Sequence, residues 1–245
     1  MTGGKRAVPA GAARTGRRDP RPRWYFSLRS PYSWLSHHDL TNRYPEVAAA
    51  LEWRPFWEPD ARSEQLLRAA GGAFGYVPMS RAKSRYILQD VRRLARERGL
   101  EPTWPVDRDP VWEIPHLAYL AAAEAGRGRE FVAHACRARW QEGRDICART
   151  TVAEVAAGLG LPRQLADAVD DEKWRQRGVQ ALLDVDADGV FGVPFFVHGF
   201  EKFWGIDRLP AFVRLVSGAG PGPAVPVPDV GVSAGGDEGH AGGCG

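Results

Sequence analysis

Ser30-Pro31-Tyr32-Ser33 lies where an apolar run, Trp24-Tyr25-Phe26-Ser27-Leu28, gives way to a helical spacing at Trp34, Leu35, His38 and Leu40. A helix N-terminus carries unpaired N–H groups and the positive end of the helix dipole, so it stabilises a thiolate placed there. With cysteines at both ends of such a four-residue motif, the junction would carry out thiol–disulfide exchange. Here both positions are hydroxyls, so neither a mixed disulfide nor a two-electron couple can form. Two roles remain for Ser30. It suits an N-cap, with Pro31 in the first helical turn. It can also donate a hydrogen bond to the thiolate of a molecule bound at the helix terminus.

Two further segments carry candidate chemistry. Gly192-Val193-Pro194-Phe195 places an X-Pro bond just before an apolar strand, and a cis bond there would mark a site where backbone geometry matters. Trp204-Gly205-Ile206-Asp207-Arg208 opens the last helix. Asp207 reads either as an N-cap or as a carboxylate able to hold an ammonium group, with nearby N–H groups free for a carboxylate. Arg208 reads as a surface charge or as part of the same site. Tyr32, Ser33, Lys83 and His116 are additional candidate substrate contacts. His116 follows Trp112-Glu113-Ile114-Pro115 and suits either acid–base work at a domain interface or packing. His37 and His38 are adjacent on a helix and point in different directions, so they make no metal pair. No metal site is expected.

The elements that must position these groups follow from periodicity. Trp24 to Leu28 is a buried strand, and a helix runs from Pro31 to about Tyr44. Leu51-Glu52-Trp53-Arg54-Pro55-Phe56 alternates as a second strand, which a short βαβ connection makes parallel to the first. Residues from about 60 to 166 read as almost wholly helical, with apolar side chains at Tyr86, Ile87, Val91, Leu94 and Ala95 near a period of 3.6. Helices are expected over 80–98, 115–125, 129–141 and 151–158. A helix from Asp171 to Asp184 follows, then a hairpin of Phe195-Phe196-Val197 with Glu201-Lys202-Phe203-Trp204, then a final helix over 207–216. A βαβ unit and an αββα unit flanking a helical block give an α/β thioredoxin-like fold with an inserted all-helical domain. The expected division is 22–58 with 167–217 for the thioredoxin-like part and 59–166 for the insert. Tails at 1–21 and 218–245 are rich in Gly, Pro and Ala and read as disordered.

Of the 245 residues, 44% are hydrophobic, enough for a sizeable core. Net charge is +3, from 33 basic and 30 acidic side chains. Much of the excess lies in Lys5, Arg6, Arg14, Arg17, Arg18, Arg21 and Arg23, read as a solvated tail rather than a nucleic-acid face. Three cysteines, Cys136, Cys147 and Cys244, form no C-x-x-C, and the first two read as buried thiols. A reducing cytoplasm is therefore the expected compartment. The first thirty residues hold no apolar signal segment, and no stretch is long and apolar enough to span a bilayer.

Five segments in order carry a resemblance to a known family. They are the stretch from Phe26 through Ser30-Pro-Tyr-Ser to Ser36, Lys83-Ser-Arg-Tyr-Ile-Leu-Gln-Asp90, Glu142-Gly-Arg-Asp145, Gly189-Val-Phe-Gly-Val-Pro-Phe-Phe196, and Phe203-Trp-Gly-Ile-Asp-Arg208. Over residues 22 to 216 the chain resembles the 2-hydroxychromene-2-carboxylate isomerases, relatives of the kappa-class glutathione transferases within the DsbA-like group. The resemblance implies a DsbA/kappa-class fold, often dimeric. It also implies glutathione or another low-molecular-weight thiol in the cleft, its sulfur facing Ser30, with Val193, Pro194, Asp207 and Arg208 as cofactor contacts. The implied activity is thiol-dependent cis–trans isomerisation of a conjugated aromatic or polyene carbonyl compound, free or carrier-bound. A transferase that leaves the thiol attached is the near variant. A non-catalytic DsbA-like binding or chaperone module is the alternative from another class. The chain departs from the family at Trp57-Glu58-Pro59-Asp60-Ala61-Arg62-Ser63, at Ile206, and at Arg29 beside Ser30.

Overall fold

Strand β1 (Arg23–Phe26) is the centre of the molecule, and its alternating side chains feed two different cores. The computed structural model describes residues 21–75 and 79–219. The tails read from the sequence lie almost wholly outside that range, as does Cys244. β1 pairs in parallel with β2 (Glu52–Pro55) and antiparallel with β3 (Phe195–His198), which pairs with β4 (Glu201–Trp204). The strand order is β2-β1-β3-β4.

Side chains alternate across a strand. On one face, Trp24 stacks on Phe26 at 4.8 Å, meets Trp53 edge-on at 4.8 Å, and lies opposite Phe196 in the register. This face packs on α1 (Pro31–Arg43), α9 (Leu209–Val216) and α5 (Glu113–Glu124), through contacts such as Phe196 with Phe212 and Phe26 with Tyr119. On the other face, Tyr25, Phe195 and Val197 pack with Val185 of α8 (Glu172–Ala187). Arg23 corrects the reading of the basic segment as wholly solvated: it lies in β1, 2% exposed, with Nε donating to Asp188 Oδ2 at 2.8 Å. Tyr25 donates to the same carboxylate at 2.6 Å.

Between β2 and α8 lies the helical block: α3 (Ala61–Ala69), α4 (Arg81–Arg96), α5, α6 (Gly128–Trp140) and α7 (Arg149–Gly158). A 3-10 helix over Arg163–Asp170 packs on α5 and α7, so the boundary expected at 166 falls inside this element and the block extends to it. α2 (Pro45–Ala50) is a short helix in the connection from α1 to β2. α8 crosses α5 closely at Gly178, where a Cβ would come within 2.5 Å of Leu117 Cδ2. A side chain there would displace Leu117 and press on Trp57. None of the helices among the described residues is long and apolar enough to cross a membrane.

Candidate functional site

The junction between β1 and α1 is built by hydrogen bonds that use nearly every main-chain donor in it. Ser30 is the N-cap of α1, with extended φ and ψ of −85° and 122°, and its Oγ accepts from Ser33 N–H at 3.2 Å. Ser30 N–H closes a turn onto Ser27 C=O at 3.0 Å, and Trp34 N–H donates to Ser30 C=O at 3.1 Å. Ser27 N–H donates to Ser33 Oγ at 3.2 Å, and Arg29 N–H donates to Ser27 Oγ at 3.2 Å. The donors left over among the described residues include the Ser30 hydroxyl proton and Tyr32 N–H. Ser30 is partly exposed, so an anion at this terminus meets both, together with the positive end of the helix dipole.

Val193-Pro194 is a cis peptide bond. Gly205 N–H donates to Pro194 C=O at 3.0 Å, which ties the start of β3 to the turn after β4. No partner for the main chain of Val193 occurs among the described residues, so it is free to pair with a bound peptide-like group. Gly205 has φ 101°, and a Cβ on it would meet Asp207 Oδ1 at 2.5 Å. The positive φ favours glycine here, and the Asp207 carboxylate lies over the space a side chain would take.

A cleft of about 540 Å³ runs from Tyr32 of α1 to the cis bond and the end of the hairpin; Ser30 is not among its lining residues and stands beside it, two positions before Tyr32. Tyr32 lines it from α1, Val193 and Pro194 from the start of β3, and Trp204, Ile206 and Asp207 from the end of the hairpin. Its volume is that of a small-molecule site. Aromatic rings of Tyr32, Tyr44, Tyr86 and Trp204 give it flat apolar surface. Tyr32 donates to Asp90 Oδ2 of α4 at 2.7 Å, which ties α1 to α4 across the cleft; burial and this carboxylate raise the Tyr32 pKa. At the far end Arg98 holds Asp39 with two hydrogen bonds, at 3.0 and 2.7 Å. A larger, more open depression of about 880 Å³ lies between α5 and α8 and contains none of the candidate residues.

The structure thus brings Tyr32, Val193, Pro194 and Asp207 together, with Ser30 at the helix terminus two residues before Tyr32. Four candidates lie elsewhere. Ser33 is 2% exposed, with its oxygen accepting from Ser27 N–H, and burial leaves it no surface for a ligand. Lys83 is exposed on the first turn of α4, where its N–H is capped by Ser80; the cleft wall is made by Tyr86, Asp90 and Leu94 further along that helix. Arg208 is not among the lining residues, and its ion pair with Asp207 at 3.4 Å is exposed, which makes it weak. Asp207 sits inside a 3-10 turn over Ile206–Arg208, and α9 starts without a side-chain cap.

His116 is 0% exposed and has no surface for a substrate. Its Nδ1 lies 2.7 Å from Trp112 C=O, and its Nε2 accepts from Leu28 N–H at 3.1 Å and meets Ser27 Oγ at 3.4 Å. A carbonyl on one nitrogen and an amide donor on the other fix the neutral tautomer with the proton on Nδ1. Burial brings its pKa down to about 3. The departing loop after β2 is also accounted for. Trp57 stacks on His116 at 5.3 Å and donates to Glu113 at 3.4 Å, and Glu113 accepts from Asp60 N–H at 2.6 Å. Arg175 of α8 holds Asp60 Oδ2 at 2.7 Å and Ser63 Oγ at 2.9 Å. Arg29 leans out over Trp112 at 5.2 Å and pairs with Glu58 at 3.1 Å. Cys136 and Cys147 are buried, their thiols pushed up to about 12 by desolvation. No group of three or more metal-binding side chains occurs among the described residues.

The model of the DsbA-like thioredoxin domain matches residues 23–217 of the chain. The sequence is 27% identical over 191 residues to a 2-hydroxychromene-2-carboxylate isomerase of Sphingobium xenophagum, covering 76% of this chain and 92% of that protein. Among solved structures, a 2-hydroxychromene-2-carboxylate isomerase superposes with a TM-score of 0.64 at 22% identity, covering 80% of this chain and 94% of that one. The cytosolic disulfide reductase DsbM of Pseudomonas aeruginosa, solved with GSH, superposes with a TM-score of 0.50 at 20% identity, covering 80% and 94%. Both likenesses are of fold.

Proposed function

The chain belongs to the DsbA-like thioredoxin-domain family, and from that premise we propose that it is an isomerase that borrows its nucleophile from a small thiol. The observation that carries the proposal is the β1–α1 junction. It keeps the anion-favouring helix terminus of a redox site, with the Ser30 hydroxyl and Tyr32 N–H unspent, while supplying no sulfur of its own. The similarity to the Sphingobium xenophagum isomerase supports the reaction class, and GSH on DsbM supports a glutathione-like thiol.

The residues present fit such a thiol. Val193 offers an unpaired main chain beside the cis bond, where the peptide part of the thiol would lie. Asp207 offers a carboxylate for an ammonium group at the cleft edge. A bound thiol supplies a nucleophile that adds to a conjugated C=C bond, lets it rotate as a single bond, and is expelled, with no net change of oxidation state. Ser30 and Tyr32 N–H hold negative charge at the helix terminus before and after that addition. Tyr32, Tyr86 and Trp204 give the cleft the flat apolar walls that suit an aromatic or polyene carbonyl substrate. The transferase variant differs only in that the sulfur stays attached.

The test is to titrate glutathione and other small thiols into the protein while following thiolate ultraviolet absorbance. A bound thiol with a lowered pKa is the expected result. If no thiol binds and Ser30→Ala is silent in every assay, the isomerase reading is wrong and a non-catalytic binding module takes its place.

A further inference from the structure

We propose that His116 is the positioning residue through which the helical insert sets the backbone of the Ser27–Ser30 turn, and with it the direction of the Ser30 hydroxyl. The proposal rests on the reading of Ser30 given above. Four main-chain N–H groups shape this turn. Those of Ser27, Arg29 and Ser30 are satisfied within residues 27–33, by Ser33 Oγ, Ser27 Oγ and Ser27 C=O. The fourth, Leu28 N–H, is satisfied from 88 residues away, by His116 Nε2 at 3.1 Å.

The imidazole has little freedom to move. Its Nδ1 is tied to Trp112 C=O at 2.7 Å, one turn earlier in the chain, and its face lies on Trp57 at an interplanar angle of 14°. Nε2 is close to Ser27 Oγ as well, at 3.4 Å. Ser27 Oγ already accepts from Arg29 N–H, so its own proton points to the imidazole. One ring nitrogen thus receives two donors from the turn that ends in Ser30. Glu113 lies three residues before His116 at the start of α5 and holds Trp57 and Asp60 of the neighbouring loop. The first turn of α5 therefore fastens both segments that leave the sheet on this side. A plain core residue would need neither the acceptor nor the fixed tautomer; phenylalanine would fill the same space.

Three variants separate position from packing. His116→Phe keeps the ring and its stacking but leaves Leu28 N–H and the Ser27 hydroxyl without an acceptor. His116→Gln keeps an amide oxygen near the place of Nε2, and His116→Asn is too short to reach it. Thiol-dependent turnover, Km for the thiol and amide hydrogen exchange at Leu28 and Ser30 are measured on each full-length variant. A displaced hydroxyl loses transition-state contact before it loses binding, so kcat should fall roughly tenfold to a hundredfold in His116→Phe and His116→Asn with Km nearly unchanged. His116→Gln should recover most of that loss, and Leu28 exchange should be fast only in the first two. If His116→Phe exchanges fast at Leu28 yet turns over like the wild type, the positioning role is refuted. If Ser30→Ala is also silent, the failure belongs to the reading of Ser30. Exchange then decides alone, because slow Leu28 exchange in His116→Phe overturns the structural half of the proposal. If no His116 variant folds, hydrogen exchange and the imidazole nitrogen shifts of the wild type decide: fast Leu28 exchange, or a protonated Nε2 at neutral pH, overturns it.

Discussion

Replacing Ser30 separates two duties carried by one hydroxyl. Its oxygen accepts from Ser33 N–H at 3.2 Å as a helix cap. Losing that bond in Ser30→Ala should cost about 1 kcal/mol of stability, roughly 2–4 °C in melting temperature for a chain of this size. On the proposed reading, its proton is the donor offered to a bound thiolate. A hydrogen bond to a charged group contributes about 1.5–3 kcal/mol. With about 1.4 kcal/mol per pKa unit, the bound thiol should titrate roughly 1–2 units higher in Ser30→Ala. Turnover at neutral pH should fall about tenfold to a hundredfold with it. Ser30→Asp is the informative control. Aspartate caps a helix as well as serine does, so stability should stay near the wild-type level. Its carboxylate has no proton to give and repels a thiolate, so the bound thiol's pKa should rise at least as far as in the alanine variant. The assay is a pH titration of thiolate absorbance with glutathione bound, alongside thermal melts. A wild-type thiol pKa in Ser30→Asp would refute the assignment of the hydroxyl proton, whatever the alanine variant did.

Ser30→Cys should carry a thiol well below the ordinary cysteine value near 8.5, read from the pH dependence of alkylation; an ordinary value would mean that the helix terminus does not act on position 30. His116 supplies a pH dependence of known sign. Its folded pKa, about 3, lies below its unfolded value, so its contribution to stability is complete above about pH 6.5 and is lost as pH falls toward 3, by up to about 1.4 kcal/mol per pH unit. Denaturant melts across that window should show the slope in the wild type and a shallower one in His116→Gln. Arg175→Leu leaves Asp60, a third exposed, without its charged partner, and chemical denaturation should show a loss of about 1–3 kcal/mol. Cys136 and Cys147 should stay unmodified by thiol reagents until the protein unfolds, as mass spectrometry of native and denatured samples would show.

The parts of the site that reside in short sequence patterns were legible. An aromatic run followed by Ser-Pro gives a strand entering a capped helix, because capping and proline preference are local. Val193-Pro194 before an apolar run marks the start of β3, and the helical block follows from apolar period and terminal glycines. What escaped the sequence depends on partners far along the chain. Arg23 looks like one more tail charge until Asp188, 165 residues later, is brought against it. His116 reads as either an acid–base or a packing residue, because nothing near it in sequence shows that its nitrogens are taken by Leu28 and Trp112. Asp90 lay within a segment that carries the family resemblance, but its hydrogen bond to Tyr32 depends on how α4 lies across α1. The 3-10 helix over Arg163–Asp170 follows a Gly-Leu-Gly-Leu-Pro stretch, and the turn residues there suggested a boundary where the chain continues to pack.

The strand order has a consequence for the birth of the chain. β1 is made early, yet one of its two neighbours is β3, whose residues lie about 170 positions later. At a synthesis rate of about 5–20 residues per second, that edge waits on the order of ten seconds for its partner. Until then the aromatic segment Trp24–Phe26 lacks the partner for one of its edges, and an unpaired apolar strand edge is the kind that recruits other chains. The helices between β2 and β3 rely on contacts closer in sequence and can form in the meantime. Soluble yield should accordingly rise with co-expressed chaperones or low growth temperature, although in the finished fold that strand is buried.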